Sequence, residues 1–404
     1  MTNKFIPIFT PKNSDFVNKY GEDFVQYFVD NPATPPLTMS LENGVQFDFN
    51  NGFRLYVPNG DWRVKIWDAS SQIKFFDGYV SDVIFISLEK FFINWEFELY
   101  LDDKLIFHHR YNPENKSIHF SVPMTGMGDH IALFPCIEEF CRKWKCHATL
   151  DIQPYMQGIV KTYFPTIECV DKMPSDSYAY YFLSPGFSQF FQPTEIRKIP
   201  MLKMGLEILK LGRYQKKIYP PTESRQIFEP YVCIAAQASK TVKAWLNPKG
   251  WDEVVAYLKK LGYRVLCIDK NSEQTDSGFT VKMPEGAEDF TGDIPLLERI
   301  NLLAYADFFI GLGSGLSWLA WAVDIPVILI SGITASWCEF DTPYRVINRL
   351  VCNSCHNDVT VKWPQFETCP YHKNTPRAYE CSKKISAQQV IEMIDELRRN
   401  ENKI

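Results

Sequence analysis

The chain has little of what would mark it for nucleic acid or for a membrane. Its 404 residues carry 43 Lys and Arg against 48 Asp and Glu, a formal net charge of −5. The clustered basic surface that a phosphate backbone or an anionic bilayer attracts therefore has little support. The start, MTNKFIPIFTPKNSDF, holds only a short apolar run broken by proline, too little for the core of a secretory signal. The longest apolar window, FFIGLGSGLSWLAWAVDIPVILI, contains Asp324, Pro326 and several glycines, which argues against a membrane span and fits a buried strand, helix and strand. There is no internal repeat, no low-complexity tract, no complete GxGxxG fingerprint and no acidic pair suited to Mg2+. Eleven cysteines, four of them grouped, fit a reducing cytoplasm better than a disulfide scaffold.

What is abundant is aromatic: 30 Phe, 20 Tyr and 10 Trp, an excess expected to fill β structure. The length predicts two or three domains. Residues 1–115 read as an N-terminal β-rich domain, a barrel or sandwich, led by a helix with Phe16, Tyr20, Phe24 and Phe28 at helical spacing and stopped before Pro32. In VQFDFNNGFRLYV, Asn51 and Gly52 separate two apolar runs, a hairpin signal. Residues 116–225 change to strand, glycine turn and helix, with PTEIRKIPMLKMGLEILKLG as one expected helix, and residues 226–349 repeat the alternation. Residues 350–383 hold the grouped cysteines, and an amphipathic helix closes the chain at 384–404. Two open α/β units in tandem predict a cleft between facing strand ends.

Three stretches place chemistry at that cleft. TGMGDH turns after a strand and brings Asp129 to the start of a helix, as an N-cap or as a general base. Ser314, Gly315, Leu316 and Ser317 follow the strand DFFIGL and open a helix, a tight turn whose N–H groups are also placed to receive a diphosphate. Lys243, in ASKTVKAWLNPKGW, follows a strand end and is either a surface lysine or a cation that neutralises a leaving diphosphate without a metal. Cys352, Cys355, Cys369 and Cys381 have the spacing C-x2-C-x13-C-x11-C, with His356 and His372 nearby. Four thiolates surround one ion and leave no place for substrate, so a structural clip is expected, with disulfides or idle thiols as the other reading. Iron and zinc suit such a set equally.

KAWLNPKGW, DFTGDIPLLERINLLAYAD and GSGLSWLAWAVDIPVILISGIT stand in the order found in the heptosyltransferases of glycosyltransferase family 9, and residues 116–349 resemble that family. The added aromatic N-terminal region, the stretch EFDTPYRVIN and the cysteine segment resemble the bacterial autotransporter heptosyltransferases, over nearly the whole chain. The resemblance implies a GT-B fold with two facing Rossmann-like domains, and inverting transfer of heptose from ADP-heptose to serines of an autotransporter adhesin before export. It also implies iron in the cysteine site and a homo-oligomer, a dodecamer. It implies that Asp129 is the base and Lys243 the diphosphate ligand, with Ser314 to Ser317 as the cradle. Ser239 then lies just before the lysine, Asp269 meets the ribose, and Thr291 and Gly292 lie beside the nucleotide. Two positions depart from the family block: Gly313 stands where an acid is usual and Trp318 where histidine is usual. A lipopolysaccharide-core acceptor and a metal-stapled scaffold without activity are the alternatives. The cysteine segment, well beyond the phosphate motifs in sequence, is expected to shape a subunit contact.

Overall fold

Asn51 and Gly52 turn the chain with φ of 68° and 82°, the left-handed pair that tight hairpins use, and the strands Gln46–Asn50 and Arg54–Val57 pair antiparallel on either side. Val83–Ser87 adds to the second of these, and Lys4–Ile8 lies parallel beside it. A separate antiparallel sheet has the order Lys74–Val80, Trp62–Asp68, Trp95–Leu101, Lys104–Arg110. Period two explains the pairing: Trp62, Val64 and Ile66 point inward while Arg63, Lys65 and Trp67 are partly exposed. Phe47 meets Phe97 at 5.2 Å and Phe53 meets Trp95 at 5.2 Å between ring centroids, so the aromatic excess here fills the space between two sheets. This is a computed structural model that describes residues 4–11, 36–122, 126–183, 190–276, 278–361 and 368–401. The expected leading helix with Phe16, Tyr20, Phe24 and Phe28 lies outside the described residues.

The boundary expected at residue 115 is crossed by a sheet. Gln46–Asn50 pairs in parallel with Ala179–Phe182, and Asn50 Nδ2 donates to Ser177 O at 3.1 Å. From there the sheet continues through Ser117–Val122, His147–Ile152 and Ile167–Cys169, all parallel. The hairpin thus covers what would be an open edge of the parallel sheet. The second parallel sheet has the order Glu288–Asp289, Arg264–Cys267, Tyr231–Ile234, Phe309–Leu312, Val327–Ile330, Arg345–Val346. In sequence terms that is the doubly wound arrangement, whose direction of winding reverses between Tyr231–Ile234 and Phe309–Leu312.

Two local expectations change. The helix expected across PTEIRKIPMLKMGLEILKLG is reduced to Met201–Ile208, with a short 3-10 turn at Ile196–Lys198. Pro200 separates them, since it has no N–H to continue a helix and fits only at a helix start. Between the expected strand YRVLCID and the next helix the chain also forms an antiparallel hairpin, Glu273–Asp276 with Phe279–Lys282. The C-terminal helix Ala387–Glu401 forms as expected. It buries Ala387, Val390, Ile394 and Leu397 in one cluster with Val254, Val255 and Leu258 of the helix Gly250–Lys260.

The two parallel sheets meet through the N-terminal ends of two helices, Met127–Trp144 and Gly315–Val323. A Cβ on Gly128 would lie 2.5 Å from the Trp318 ring, and one on Gly315 would lie 2.6 Å from Met127 Cβ. Trp318 is buried and packs edge-on against Phe340 at 5.0 Å. Helix propensity alone would make Gly128→Ala stabilising by about 1 kcal/mol, whereas overpacking costs about 1–3 kcal/mol. With an indole on the clashing side, we expect a net loss of roughly 1–2 kcal/mol, read as a lower urea midpoint at unchanged slope.

Candidate active site

Strands Tyr231–Ile234 and Phe309–Leu312 deliver their following loops to the winding reversal, where doubly wound sheets bind ligands. After Phe309–Leu312 comes Ser314, extended at φ −139° and ψ 172°, with its hydroxyl not capping the helix. The first backbone bond of the helix is Trp318 N–H to Ser314 O at 3.4 Å. The N–H groups of Gly315, Leu316 and Ser317 come before it and open on the positive end of the helix dipole. Ser317 contributes only its backbone, because its buried hydroxyl donates to Leu312 O at 2.5 Å.

The other loop is held from below. Asp269 is 1 % exposed, and its carboxylate accepts the N–H groups of Ala236 at 2.8 Å and Gln237 at 3.1 Å. Its expected place at the ribose is thereby altered: the side chain is turned inward and fastens the loop that leads to Ser239 and Lys243. Burial pushes its pKa up to about 6, against those two backbone donors. Arg299, itself buried, donates to the carbonyls of Phe290 (2.5 Å), Gly292 (3.2 Å) and Asp269 (3.3 Å). This stitches Thr291 and Gly292 beside the same loop, with Gly292 at φ 133°, a conformation that favours glycine. Thr291 is turned onto Asp289, donating its N–H at 2.9 Å and its hydroxyl at 2.7 Å. Ser239 is exposed on the rim.

Lys243 ends the short turn Thr241–Lys243 and is half-buried. Among the described residues its ammonium has no hydrogen-bond or ion-pair partner. Asp129 faces it from the other sheet. Burial pushes the Asp129 carboxyl above the usual carboxylate range, while Lys243 and the Gly126 N–H pull it back. Gly126 N–H donates to Asp129 Oδ2 at 2.9 Å, so Asp129 is both the capping carboxylate of the helix Met127–Trp144 and a charge at the cleft. The N-cap expected at Asp129 is instead Gly126, and Asp129 caps the helix from the third helical position.

Sequence reasoning missed four neighbours. Tyr155 feels the charge of Asp129, and Cys338 and His356 feel that of Lys243. Tyr155 follows the strand His147–Ile152, so its position at a carboxyl edge was the available signal. The fourth is Glu339. A Cβ on Gly313 would lie 2.5 Å from Glu339 Oε1, so a carboxylate from 26 residues downstream fills the space beside this glycine. Glu339 is buried, accepts the Thr334 hydroxyl at 2.7 Å and pairs with Arg345 at 2.7 Å.

Cys352, Cys355, Cys369 and Cys381 line one cavity, together with Val242, Ile333 and His372. Burial and the neighbouring thiols push Cys355 and Cys381 up to about 12. A cation there would remove the cost of forming thiolates, but the donor atoms gathered closely enough among the described residues are those of Cys352, His372 and Glu380, not the four expected thiols together. Those three donor atoms all lie within 4.8 Å of one another. All eleven cysteines are unpaired as thiols, so the disulfide reading is not realised. The cavity is not remote from the cleft in space, since Val242 is the neighbour of Lys243.

The family model for the TibC glycosyltransferase N-terminal domain matches residues 42–103, and that for glycosyltransferase family 9 (heptosyltransferase) matches residues 205–362. The chain is 37% identical to the autotransporter heptosyltransferase Aah of Escherichia coli, over 91% of this chain and 96% of that protein. It is 36% identical to the iron-containing dodecameric glycosyltransferase TibC of enterotoxigenic E. coli. That crystal structure superimposes with a TM-score of 0.86 over 91% of this chain and 99% of TibC. TibC has also been crystallised with ADP-D-beta-D-heptose. A relative from Burkholderia thailandensis, 32% identical over 89% of this chain and 87% of its own, is the inactive autotransporter heptosyltransferase BimC. Among the described residues no helix is long and apolar enough to cross a membrane.

Removing the Asp269 carboxylate leaves two buried N–H groups without acceptors, at roughly 1–3 kcal/mol each before relaxation. Asp269→Ala should therefore lower the unfolding midpoint clearly. The folded pKa of about 6 exceeds the ordinary aspartate value of 3.8, so the wild-type carboxyl contributes stability below pH 3.8 that is lost as pH rises through about 6. The variant should lack that part of the pH dependence in urea titrations.

Proposed function

Since the chain belongs to the autotransporter heptosyltransferases, we propose that it transfers heptose from ADP-heptose to serine hydroxyls of an autotransporter adhesin. The observation that carries this reading is that Asp129 feels the charge of Lys243, the two following strands of different parallel sheets, with a helix start nearby that presents free N–H groups. The two sheets are then the facing halves of a GT-B enzyme, with the acceptor side at 116–225 and the donor side at 226–349.

In the proposed reaction Asp129 takes the proton of the acceptor hydroxyl as that oxygen attacks the anomeric carbon. ADP departs from the opposite face, giving inversion. Lys243 and the N–H groups of Gly315, Leu316 and Ser317 receive the growing diphosphate charge. Cys352, Cys355, Cys369 and Cys381 would hold iron, or zinc, as a structural clip, and the enzyme would act in the cytoplasm as a homo-oligomer, a dodecamer as in TibC. The inactive relative BimC keeps a second reading alive, a scaffold that has lost transfer. The presence here of Asp129 and Lys243 at one site supports activity.

Intact mass of an adhesin fragment incubated with purified enzyme and ADP-heptose tests the reading directly. Increments of one heptose support it, and an unmodified adhesin with intact donor supports the scaffold. Asp129→Ala should lose about 10²–10⁴-fold in turnover while still binding ADP. Lys243→Ala should mainly weaken donor use, and unchanged donor dependence would remove it from the site. Because burial raises the Asp129 pKa, the acid limb of the wild-type rate profile should lie above the ordinary carboxylate range, with activity falling as pH drops through it. Cys352→Ser should lose metal, measured by elemental analysis of the purified chain.

A further inference from the structure

The turn that carries Lys243 is three residues long and has no regular ladder to hold it. Its position depends on what grips the chain on either side. Downstream, Ser382 is 4 % exposed. Its hydroxyl accepts the Leu246 N–H at 2.7 Å and donates to Ala244 O at 2.5 Å, closing around Trp245. A hydroxyl that donates and accepts within one short segment fixes that segment's distance and its orientation. Trp245 Nε1 and Asn247 Nδ2 each donate to Ile385 O at 3.0 Å, three residues further on. Upstream, Val242 is buried in one cluster with Ile333, Cys355 and Cys381.

The same segment is fastened to the rest of the cleft. Ser354 N–H donates to Gly332 O at 2.9 Å and His356 N–H to Ile333 O at 2.8 Å. Arg197, from the acceptor side, donates to the carbonyls of Asp358 at 3.0 Å and Val361 at 2.7 Å. The cysteine-bearing segment is therefore attached to both sheets, and Ser382 is its point of attachment to the Lys243 turn.

We infer that Ser382 is a positioning residue for the transfer reaction, and that through it the cysteine segment sets where the Lys243 ammonium stands over the cleft. The inference rests on the reading of Lys243 as the diphosphate ligand. It gives the cysteine segment a role within one protomer, besides any contact between protomers. Ser382 touches no substrate; it acts through the backbone of residues 244–246.

The test uses the full-length, metal-loaded protein with Ser382→Ala, compared with wild type and Lys243→Ala. Four quantities are measured: ADP affinity by calorimetry, donor KM and kcat, metal content, and oligomer mass by light scattering. The expected result for Ser382→Ala is ADP binding and donor KM weakened about tenfold, the scale set by one or two net hydrogen bonds, with metal content and oligomer mass unchanged. Val242→Ala, which trims the upstream anchor, should weaken donor binding in the same direction and serves if Ser382→Ala does not fold. Wild-type ADP affinity and donor KM in a folded Ser382→Ala protein would overturn the inference while leaving Lys243 in place, provided Lys243→Ala is impaired. If Lys243→Ala also behaved as wild type, the reading of the lysine would fall, and this inference with it.

Discussion

Two helices meet at their N-terminal ends with almost no side chain between them, and the rest of the site depends on that approach. Gly128 lies against the Trp318 ring and Gly315 against Met127, so the carboxyl edges of two parallel sheets are brought together. Positive ends of two helix dipoles repel each other unless negative charge lies between them. Asp129 provides one such charge in the first turn of its helix, and a diphosphate would provide more. The geometry that makes a good anion site and the packing that joins the two sheets are thus a single feature.

Around this junction the functional loops are held from behind by buried polar groups. Asp269 fastens the loop after Tyr231–Ile234, and Arg299 ties the Thr291–Gly292 turn to it. Ser382 grips the segment after Lys243. Loops at a ligand site cannot bury many apolar side chains without closing the cleft, so their order comes from hydrogen bonds beneath them. The cysteine cavity belongs to this supporting layer: Val242 joins it to the Lys243 turn, and Arg197 holds the chain just after Cys355 at Asp358 and Val361.

The N-terminal region contributes differently. Its two sheets pack through Phe47, Phe53, Trp95 and Phe97, and one of them continues into the first parallel sheet at Ala179 and Tyr180. One core cluster accordingly runs from Phe47 through Phe120 to Trp318 and Phe340. Displacing the N-terminal hairpin would expose a parallel edge two strands from Asp129.

The sequence by itself determined the local elements: hairpin strands at Asn51–Gly52, the alternating strands and helices of both α/β units, and the residues that end or begin helices at the cleft. These follow from side-chain period, glycine conformation and capping, which act over a few residues. It also marked Asp129, Lys243 and Ser314 to Ser317, because chemistry at strand ends has a local signature. Only the tertiary structure decided which oxygens and N–H groups remain free. It turned Asp269 and the Ser317 hydroxyl inward, put Glu339 in the space above Gly313, and laid the cysteine segment against the lysine turn. Apart from the Ser317 bond to Leu312, five residues back, those contacts join residues from separate loops, and whether a polar group faces a cleft or a core depends on neighbours that the local pattern does not name.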